Sequence, residues 1–360
     1  MKLSSNLSRA FCTAKLLAIL LVIAVHNRSV GKIADFELIN LNYFLQESLL
    51  NGVGRVAVPF FAFASGLFFF KDYENISSWI NGLKKRVRTL LIPYLLCSLL
   101  IYLSFLAKQI LYGYLSQGNL SLSVSGIIND IIIHPRSIQF WFLRDLMILF
   151  LISPLVSIFV RRFSYLSIII LFALWLFEIR VFPIVSGWYL ININTLFFFA
   201  LGSFFVPRIS RLERLISIET KYAFMFLVLY IGLIIFRVYL DPSFDLWYEK
   251  QFTEYSLALQ KIIILLGVIL LIYFSSKLNS KKVLFISGFT FFVYLLHTEP
   301  IWSIVGRLTA AIIEQQYTFY FNFVFVTLFV FVLGVILERY FPTIYELITG
   351  RRGPNRLQRA

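Results

Sequence analysis

The chain has few of the residues that soluble proteins display on their surfaces. Charged side chains make up 14% of its 360 residues, whereas hydrophobic side chains make up 59%. So small a polar fraction cannot cover a soluble body of this size, and the mean hydropathy of +0.83 agrees with this. The sequence therefore excludes a soluble globular protein and predicts one that crosses a membrane several times.

Cysteine and histidine are also scarce, with two and three residues respectively. Cys12 and Cys97 both fall at the start of apolar runs, so we expect buried thiols rather than a disulfide framework. The spacing of the Cys and His residues matches no zinc motif, and the chain has no glycine-rich phosphate-binding loop. The sequence therefore indicates neither metal dependence nor redox chemistry.

Acidic residues are fewer than basic ones, 18 against 33, and the formal net charge is +15. The Lys and Arg residues concentrate in alternate connections between apolar runs, beginning with the one before the first run. This is the distribution of the positive-inside rule, and it places both termini in the cytoplasm. Since topology accounts for much of the charge, we predict no nucleic-acid partner.

Long apolar runs are what the chain has in abundance. Their continuous apolarity excludes the alternating pattern of a membrane barrel, so the predicted fold class is all-α, a polytopic transmembrane helix bundle. About 20 residues are needed to cross a bilayer. By that measure there are about ten spans, at 11–27, 53–70, 89–107, 140–160, 163–179, 191–206, 220–239, 257–275, 283–301 and 318–338. We predict an integral membrane domain over 1–345 and a basic cytoplasmic tail over 346–360, solvated and anchored to anionic lipid.

Lys15 and His26 lie at the two ends of the first predicted span. Eleven residues of helix rise about 16 Å and return to within roughly 20° of the same direction, so the two side chains share one face. An ionisable residue inside a membrane is costly and usually functional. The pair therefore predicts a polar path that runs from the cytoplasmic entrance to the outer half of the bilayer.

Other polar residues lie at the predicted depth of His26. We expect them to converge with His26 on one pocket of imidazole, guanidinium and carboxylate groups, while His134 is predicted to be a solvated loop residue. The candidates are His297 and Glu299 in the ninth span, Trp141, Arg144 and Asp145 at the start of the fourth, and Arg55 at the start of the second.

A dense basic cluster, KKRVR at 84–88, precedes the third span on the cytoplasmic side. One interpretation is a topology anchor. The other is a phosphate site, because Lys and Arg pair strongly with phosphate oxygens. Lys15 enters the membrane on the same side.

Five patches occur in order over most of the chain. They are Lys15 with His26, VPFFAFASG at 58–66, KRVR at 85–88 before PY at 93–94, QFWFL at 139–143 and YLLH at 294–297. Together they resemble the motifs of the acyltransferase 3 family, membrane acyltransferases that modify carbohydrates. In this order they are similar to its Arg/Lys-x10-His, Pro-Phe-Phe…Ser-Gly, Arg-x-x-Arg with Pro-Tyr, Trp-Phe-Leu and Tyr-Leu-x-His segments. Lys85 stands where many members have Arg, which keeps the charge but loses the bidentate fork.

The resemblance implies transfer of an acyl group, usually acetyl from acetyl-CoA, to a sugar hydroxyl of a surface glycan or its lipid-linked precursor. The enzyme would lie in the bacterial cytoplasmic (inner) membrane, with the acyl-CoA bound at Lys15, Lys85 and Arg88.

His26 would act as general base or as a covalent acyl carrier. Asp145 or Glu299 would orient a histidine. The donors to the oxyanion of the tetrahedral intermediate would be Arg144, Arg55 or Trp141. His297 is either a second catalytic group or a structural one.

Two other functions fit the same residues. A transporter or flippase for a lipid-linked glycan would use them as a translocation path, although no internal repeat is visible. A protein that passes the acyl group across the membrane to a separate transferase is the third possibility.

Overall fold

A computed structural model describes residues 3–30, 40–111, 123–185, 188–246, 250–278 and 280–354. Helices form nearly all of the regular structure, so the all-α prediction is confirmed. One small antiparallel hairpin is also present, in which β1 (Ile184–Val185) pairs with β2 (Trp188–Tyr189).

The helices follow one another with short connections. In the first half of the chain they are α1 (Ser5–His26), α2 (Leu41–Glu47), α3 (Ala57–Phe70), α4 (Ile76–Arg86), α5 (Ile92–Leu111), α6 (Val124–Ile128), α7 (Phe140–Leu151), α8 (Ser153–Phe163) and α9 (Tyr165–Leu176). In the second half they are α10 (Ile193–Phe205), α11 (Ile209–Ile216), α12 (Thr220–Leu240), α13 (Glu254–Lys277), α14 (Lys281–Ser287), α15 (Thr290–Leu296), α16 (Ile301–Ala310), α17 (Thr318–Tyr340) and α18 (Pro342–Thr349). Short π or 3₁₀ segments occupy Ser48–Val53, Gly54–Val56, Val87–Leu91, Asn129–Ile133, Val206–Arg208 and Gln315–Tyr317.

The number of spans differs from the ten that the sequence predicted. In the part of the chain that the structure describes, seven helical segments are long and apolar enough to cross a membrane, or nine if two bent pairs are counted as spans. The predicted fifth span, 163–179, contains only the 12-residue α9, which covers about 18 Å of the ~30 Å hydrocarbon core. The count of ten is therefore not confirmed, and the cytoplasmic position of both termini stays a prediction.

The bent pairs lie where the sequence has helix-breaking residues. α7 and α8 meet at 67°, with Pro154 in the first turn of α8. The segment Lys281–Leu296 meets α16 at 82°, across a break that contains Pro300. The second bend interrupts the predicted ninth span directly after α15, and this break contains His297 and Glu299.

α1 is the central helix of the bundle. It packs against α3, α13, α14, α15 and α17, and its core-facing side is fully buried at Ala14, Ala18 and Ile23. It begins at Ser4, whose side chain accepts a hydrogen bond from the Leu7 N–H. It ends at His26, which is therefore held at the end of a buried helix.

α3 and α10 approach each other closely at two glycines. A Cβ at Gly66 would lie 2.1 Å from the Phe199 carbonyl oxygen, and one at Gly202 would lie 2.4 Å from the Phe63 carbonyl oxygen. Only glycine permits this backbone contact. The Ser-Gly end of the 58–66 patch is therefore a packing site between two helices.

α12 and α17 form part of the outer surface of the bundle. Their outward side chains are large and apolar, and Phe236 and Leu328 remain 59% and 58% exposed. A continuous apolar surface of this kind suits contact with lipid chains.

The C-terminal segment differs from the predicted solvated tail over 346–360. Residues 346–349 complete α18, in which Ile348 and Thr349 are buried. Gly350 then takes a left-handed conformation, with φ of 61°, and residues 350–354 turn back onto the bundle. The rest of the tail, 355–360, lies outside the described residues.

Candidate functional site

The two histidines of the predicted pocket meet. His26 Nδ1 at the end of α1 lies 3.1 Å from Nε2 of His297, which directly follows α15. The His297 side chain is completely buried, and that of His26 is partly buried. The structure therefore joins two of the residues that the sequence placed at one depth, although 271 positions separate them.

The hydrogen bonds of His297 fix the orientation of the pair. Its Nδ1 lies 3.1 Å and 3.0 Å from the carbonyl oxygens of Val293 and Tyr294, so this nitrogen carries the proton and donates. His297 Nε2 is then an acceptor for the Nδ1–H of His26, which also lies 3.0 Å from the Val22 carbonyl oxygen. This tautomer leaves the lone pair of His26 on Nε2, where a neutral imidazole can accept a proton.

The segment that carries His297 is fastened to the 139–143 patch. The Gln139 amide nitrogen donates to the Leu295 carbonyl oxygen at 3.2 Å, and Tyr294 donates its hydroxyl to the Gln139 carbonyl oxygen. Thr298 donates to the Gln139 side-chain oxygen at 2.6 Å. The two patches thus form one hydrogen-bonded unit that holds His297 in place.

Arg144 and Asp145 lie at a junction between α7 and α10. Arg144 Nη1 donates to the Ile133 carbonyl oxygen at 3.0 Å, and Arg144 Nη2 lies 3.9 Å from Asp145. Asp145 accepts a hydrogen bond at 2.8 Å from the backbone N–H of Asn192, directly before α10. This hydrogen bond shows that Asp145 fixes the start of α10.

Trp141, Arg55 and Glu299 occupy different surroundings. The Trp141 ring packs edge-on against Phe142, with 5.9 Å between ring centroids. Arg55 donates to the Asn51 side-chain oxygen at 2.6 Å, and its segment, Gly54–Val56, packs against α1, where a Cβ at Gly54 would lie 2.5 Å from Val25. Glu299 follows His297 by two residues and accepts a hydrogen bond from the Ser303 hydroxyl.

A buried acidic group near Arg55 was missed by the sequence analysis. Glu47 at the end of α2 is fully buried and pairs with Arg237 at 2.7 Å and with Arg28 at 3.0 Å. Asn51 donates to both Glu47 oxygens at 2.9 Å and in turn holds Arg55. The sequence feature that could have indicated this buried carboxylate is Arg237, a cation inside an apolar predicted span.

A cavity of about 480 Å³ begins among basic side chains. Its basic residues are Lys15, Lys85, Arg86, Arg351 and Arg352. The cavity then follows the end of α14 at Ser287 and continues along α15 through Phe291 to Tyr294, whose ring centroid lies 6.2 Å from that of His297. It therefore extends from a cationic entrance toward the histidine pair, between apolar walls that include Phe61 and Phe142.

The three predicted donor-binding residues fall in two groups. Lys15 and Lys85 line the cavity, whereas Arg88 is exposed and Arg86 takes the place on the wall. The reason is local: α4 ends at Arg86, and the wider π turn over Val87–Leu91 changes the direction of the residues that follow. Among the described residues, no group of three or more His, Cys, Asp or Glu side chains could hold a metal ion.

Comparison with known proteins agrees with this arrangement. A family model described as an acyltransferase domain, acyltransferase 3, matches residues 11–345. The chain belongs to this acyltransferase family. It is therefore a membrane acyltransferase, and its apolar helices form a multi-pass membrane protein.

One curated relative and no solved structure match the chain significantly. The relative is the succinoglycan biosynthesis protein ExoH of Rhizobium meliloti (strain 1021), which is 25% identical over 331 residues. The match covers 87% of this chain and 82% of the relative.

Proposed function

We propose that this acyltransferase moves an acetyl group from cytoplasmic acetyl-CoA to a hydroxyl of a cell-envelope polysaccharide or its lipid-linked precursor, in the cytoplasmic membrane of a bacterium. The observation that supports this best is a cavity with a basic entrance whose lining reaches Tyr294, a residue in ring contact with one of the two paired histidines. The family supplies the reaction class, and the name of the succinoglycan relative favours a polysaccharide acceptor.

The cavity suits the two chemically different ends of an acyl-CoA. Its phosphates would lie at the basic entrance, where Lys15, Lys85 and Arg86 can pair with them. The pantetheine arm would follow the apolar walls along α15 and bring the thioester to Tyr294. Lys15 and His26 are about 16 Å apart along α1, a distance that an extended arm can cover.

At the inner end, His26 Nε2 would take the proton from the acceptor hydroxyl as its oxygen attacks the thioester carbonyl. The carbon–sulfur bond then breaks, and the thiolate of CoA leaves with the proton from His26. In the covalent alternative, His26 Nε2 attacks the thioester carbonyl and the carbon–sulfur bond breaks to release the thiolate of CoA. The sugar oxygen then attacks the acetyl group, the carbon–nitrogen bond to His26 breaks, and the hydroxyl proton goes to the thiolate. Both routes give the same products, an O-acetylated sugar and free CoA thiol.

The oxyanion of the tetrahedral intermediate needs a donor near His26. We propose Arg55 for this role, because its segment, Gly54–Val56, packs against α1 and its guanidinium is held through Asn51 by the buried Glu47. Arg144 and Trp141 stay proposed donors to the oxyanion. Asp145 and Glu299 stay proposed groups that orient a histidine.

The proposal is tested with radiolabelled acetyl-CoA and membranes from the host with and without the gene. We expect base-labile label in the envelope polysaccharide only when the gene is present. Equal labelling in both membranes would overturn the proposed function. Labelling of the polysaccharide with an acyl-CoA of different chain length, but not with acetyl-CoA, would overturn the choice of acetyl.

Lys85→Ala is expected to raise the KM for acetyl-CoA several-fold and to leave turnover unchanged. The substitution removes one cation from the cavity entrance, about 1 kcal/mol of interaction with a phosphate. Lys84→Ala removes the adjacent charge, which does not line the cavity, and should leave the KM unaltered. A raised KM for acetyl-CoA in Arg88→Ala would agree with the sequence-based prediction that Arg88 binds the donor. An unchanged KM in Lys85→Ala would return the cluster to a topology anchor, and an equal rise in Lys84→Ala would contradict a specific contact with Lys85.

A further inference from the structure

One wall of the donor cavity is formed by residues outside the five sequence patches. Residues 350–354, here called the C-terminal strap, fold back after α18, and four of them line the cavity: Gly350, Arg351, Arg352 and Gly353. The strap lies beyond residue 345, where the match to the family model ends.

Two close contacts seat the strap on the bundle. A Cβ at Gly350 would lie 2.6 Å from Thr89 Cα and 2.7 Å from the Arg88 carbonyl oxygen, so only glycine fits against the π turn. At the other end, a Cβ at Gly288 would lie 2.5 Å from Pro354 Cα. The strap thus spans from the start of the third predicted span to the connection between α14 and α15.

The two contacts place Arg352 inside the cavity entrance. Its Nη2 donates to the Thr89 hydroxyl at 3.2 Å, and its guanidinium lies 4.2 Å from the centroid of the Phe291 ring. A guanidinium has five N–H donors, and the bond to Thr89 uses one of them. The contact with the Phe291 ring restrains the group on the cavity wall, where a guanidinium can pair with a phosphate.

The charge around Arg352 is not neutralised by acidic residues on the cavity wall. Among the described residues that line the cavity, five are basic and none is Asp or Glu. Removal from water, and then the nearby charge of Arg86, lower the pKa of Arg352 to about 9, so it stays protonated at neutral pH. The half-exposed Glu346 pairs with Arg351 at 3.5 Å, and the cavity wall keeps an excess of cations that favours a multiply charged anion.

We propose that the C-terminal strap completes the donor site and that Arg352 binds a phosphate group of the acyl-CoA. This inference rests on the proposed function, since it takes the occupant of the cavity to be an acyl-CoA. The strap would give the enzyme its preference for a phosphorylated donor over the bare pantetheine arm, and Arg351 would add charge at the rim.

The test compares acetyl-CoA with S-acetylpantetheine, which has the same thioester and no phosphate. In Arg352→Gln we expect the KM for acetyl-CoA to rise about tenfold, whereas turnover and the KM for S-acetylpantetheine stay at wild-type values. Arg352→Lys should fall between the two. Arg339→Gln is the matched control, because Arg339 is an exposed arginine of α17 outside the cavity.

A second variant tests the strap independently of the Arg352 side chain. Gly350→Ala introduces a Cβ where the left-handed backbone meets Thr89, so it should displace the strap and raise the KM for acetyl-CoA as Arg352→Gln does. Size-exclusion chromatography in detergent checks that both variants remain folded.

The outcomes separate this inference from the proposed function. If the wild-type protein uses acetyl-CoA and Arg352→Gln shows the same KM, the role of the strap is wrong and the function stands. A tenfold rise for both acetyl-CoA and S-acetylpantetheine, or the same rise in Arg339→Gln, also overturns the phosphate contact. If the wild-type protein uses neither donor, the proposed function itself fails.

Discussion

Replacing His26 with Ala is expected to reduce acetyl transfer to the polysaccharide by a factor on the order of 10²–10⁴, which is the usual contribution of a general base. The donor KM should stay close to the wild-type value, because the basic residues of the cavity entrance lie about 16 Å away along α1. Transfer from radiolabelled acetyl-CoA in membranes measures the rate, and the dependence of that rate on acetyl-CoA concentration gives the KM.

His134→Ala is the matched control for this substitution. His134 follows the π segment Asn129–Ile133 and is the third histidine of the chain, away from the contact between His26 and His297. We expect the control to transfer acetyl at the wild-type rate. Wild-type transfer by His26→Ala would remove His26 from both proposed mechanisms, because each requires its Nε2.

The two mechanisms differ in what accumulates without an acceptor. A covalent route predicts label on the wild-type protein after brief exposure to radiolabelled acetyl-CoA, and none on His26→Ala. A general-base route predicts no label on either protein. Acid quenching followed by peptide mapping distinguishes the two routes directly.

Helical periodicity accounts for the part of the site that could be predicted from the sequence. Lys15 and His26 share one helix, so their common face follows from 3.6 residues per turn. The contact between His26 and His297 is different, because it depends on how α1 packs against α15. The sequence patterns placed both residues at one depth, and only the tertiary structure could bring the rings together.

Local backbone geometry accounts for the exchange of Arg88 for Arg86 at the cavity wall. Charge and motif order singled out the basic cluster, but the π turn over Val87–Leu91 has a different residue spacing from the α-helix. The strap was missed for a related reason. A basic, Gly- and Pro-containing stretch resembles a solvated tail, and its contacts with Gly288 and Thr89 are far away in sequence.

Glu47 shows the limit of composition-based reasoning. It lies in the stretch 28–52, which the sequence analysis treated as a polar connection, whereas the structure contains α2 and a buried carboxylate there. A lone Glu in a connection is ordinarily solvated. Its burial depends on two arginines, Arg28 and Arg237, which reach it from other parts of the chain.

Glu47→Ala is expected to destabilise the folded protein by about 3–5 kcal/mol, the usual cost of removing one partner of a buried ion pair. Both Glu47 and Arg237 are fully buried, so the substitution leaves the Arg237 charge without its carboxylate. The same change removes the acceptor that holds Asn51, and with it the support of Arg55 beside His26. We therefore expect a lower midpoint of thermal unfolding in detergent and a reduced rate of acetyl transfer in the protein that remains folded.

A matched exposed pair and a double replacement make the second experiment decisive. Glu219 pairs with Lys221 at the same 2.7 Å, but both side chains are 66% exposed, so Glu219→Ala should leave the unfolding midpoint unchanged.

Replacing Glu47 with Leu and Arg237 with Met removes both buried charges and should recover much of the lost stability, because the uncompensated charge is the main cost. It should not recover the transfer rate, since Asn51 and Arg55 still lack Glu47. If Glu47→Ala unfolds at the wild-type temperature, the ion pair does not stabilise the bundle; if the double variant recovers full transfer, Glu47 does not support the site through Arg55.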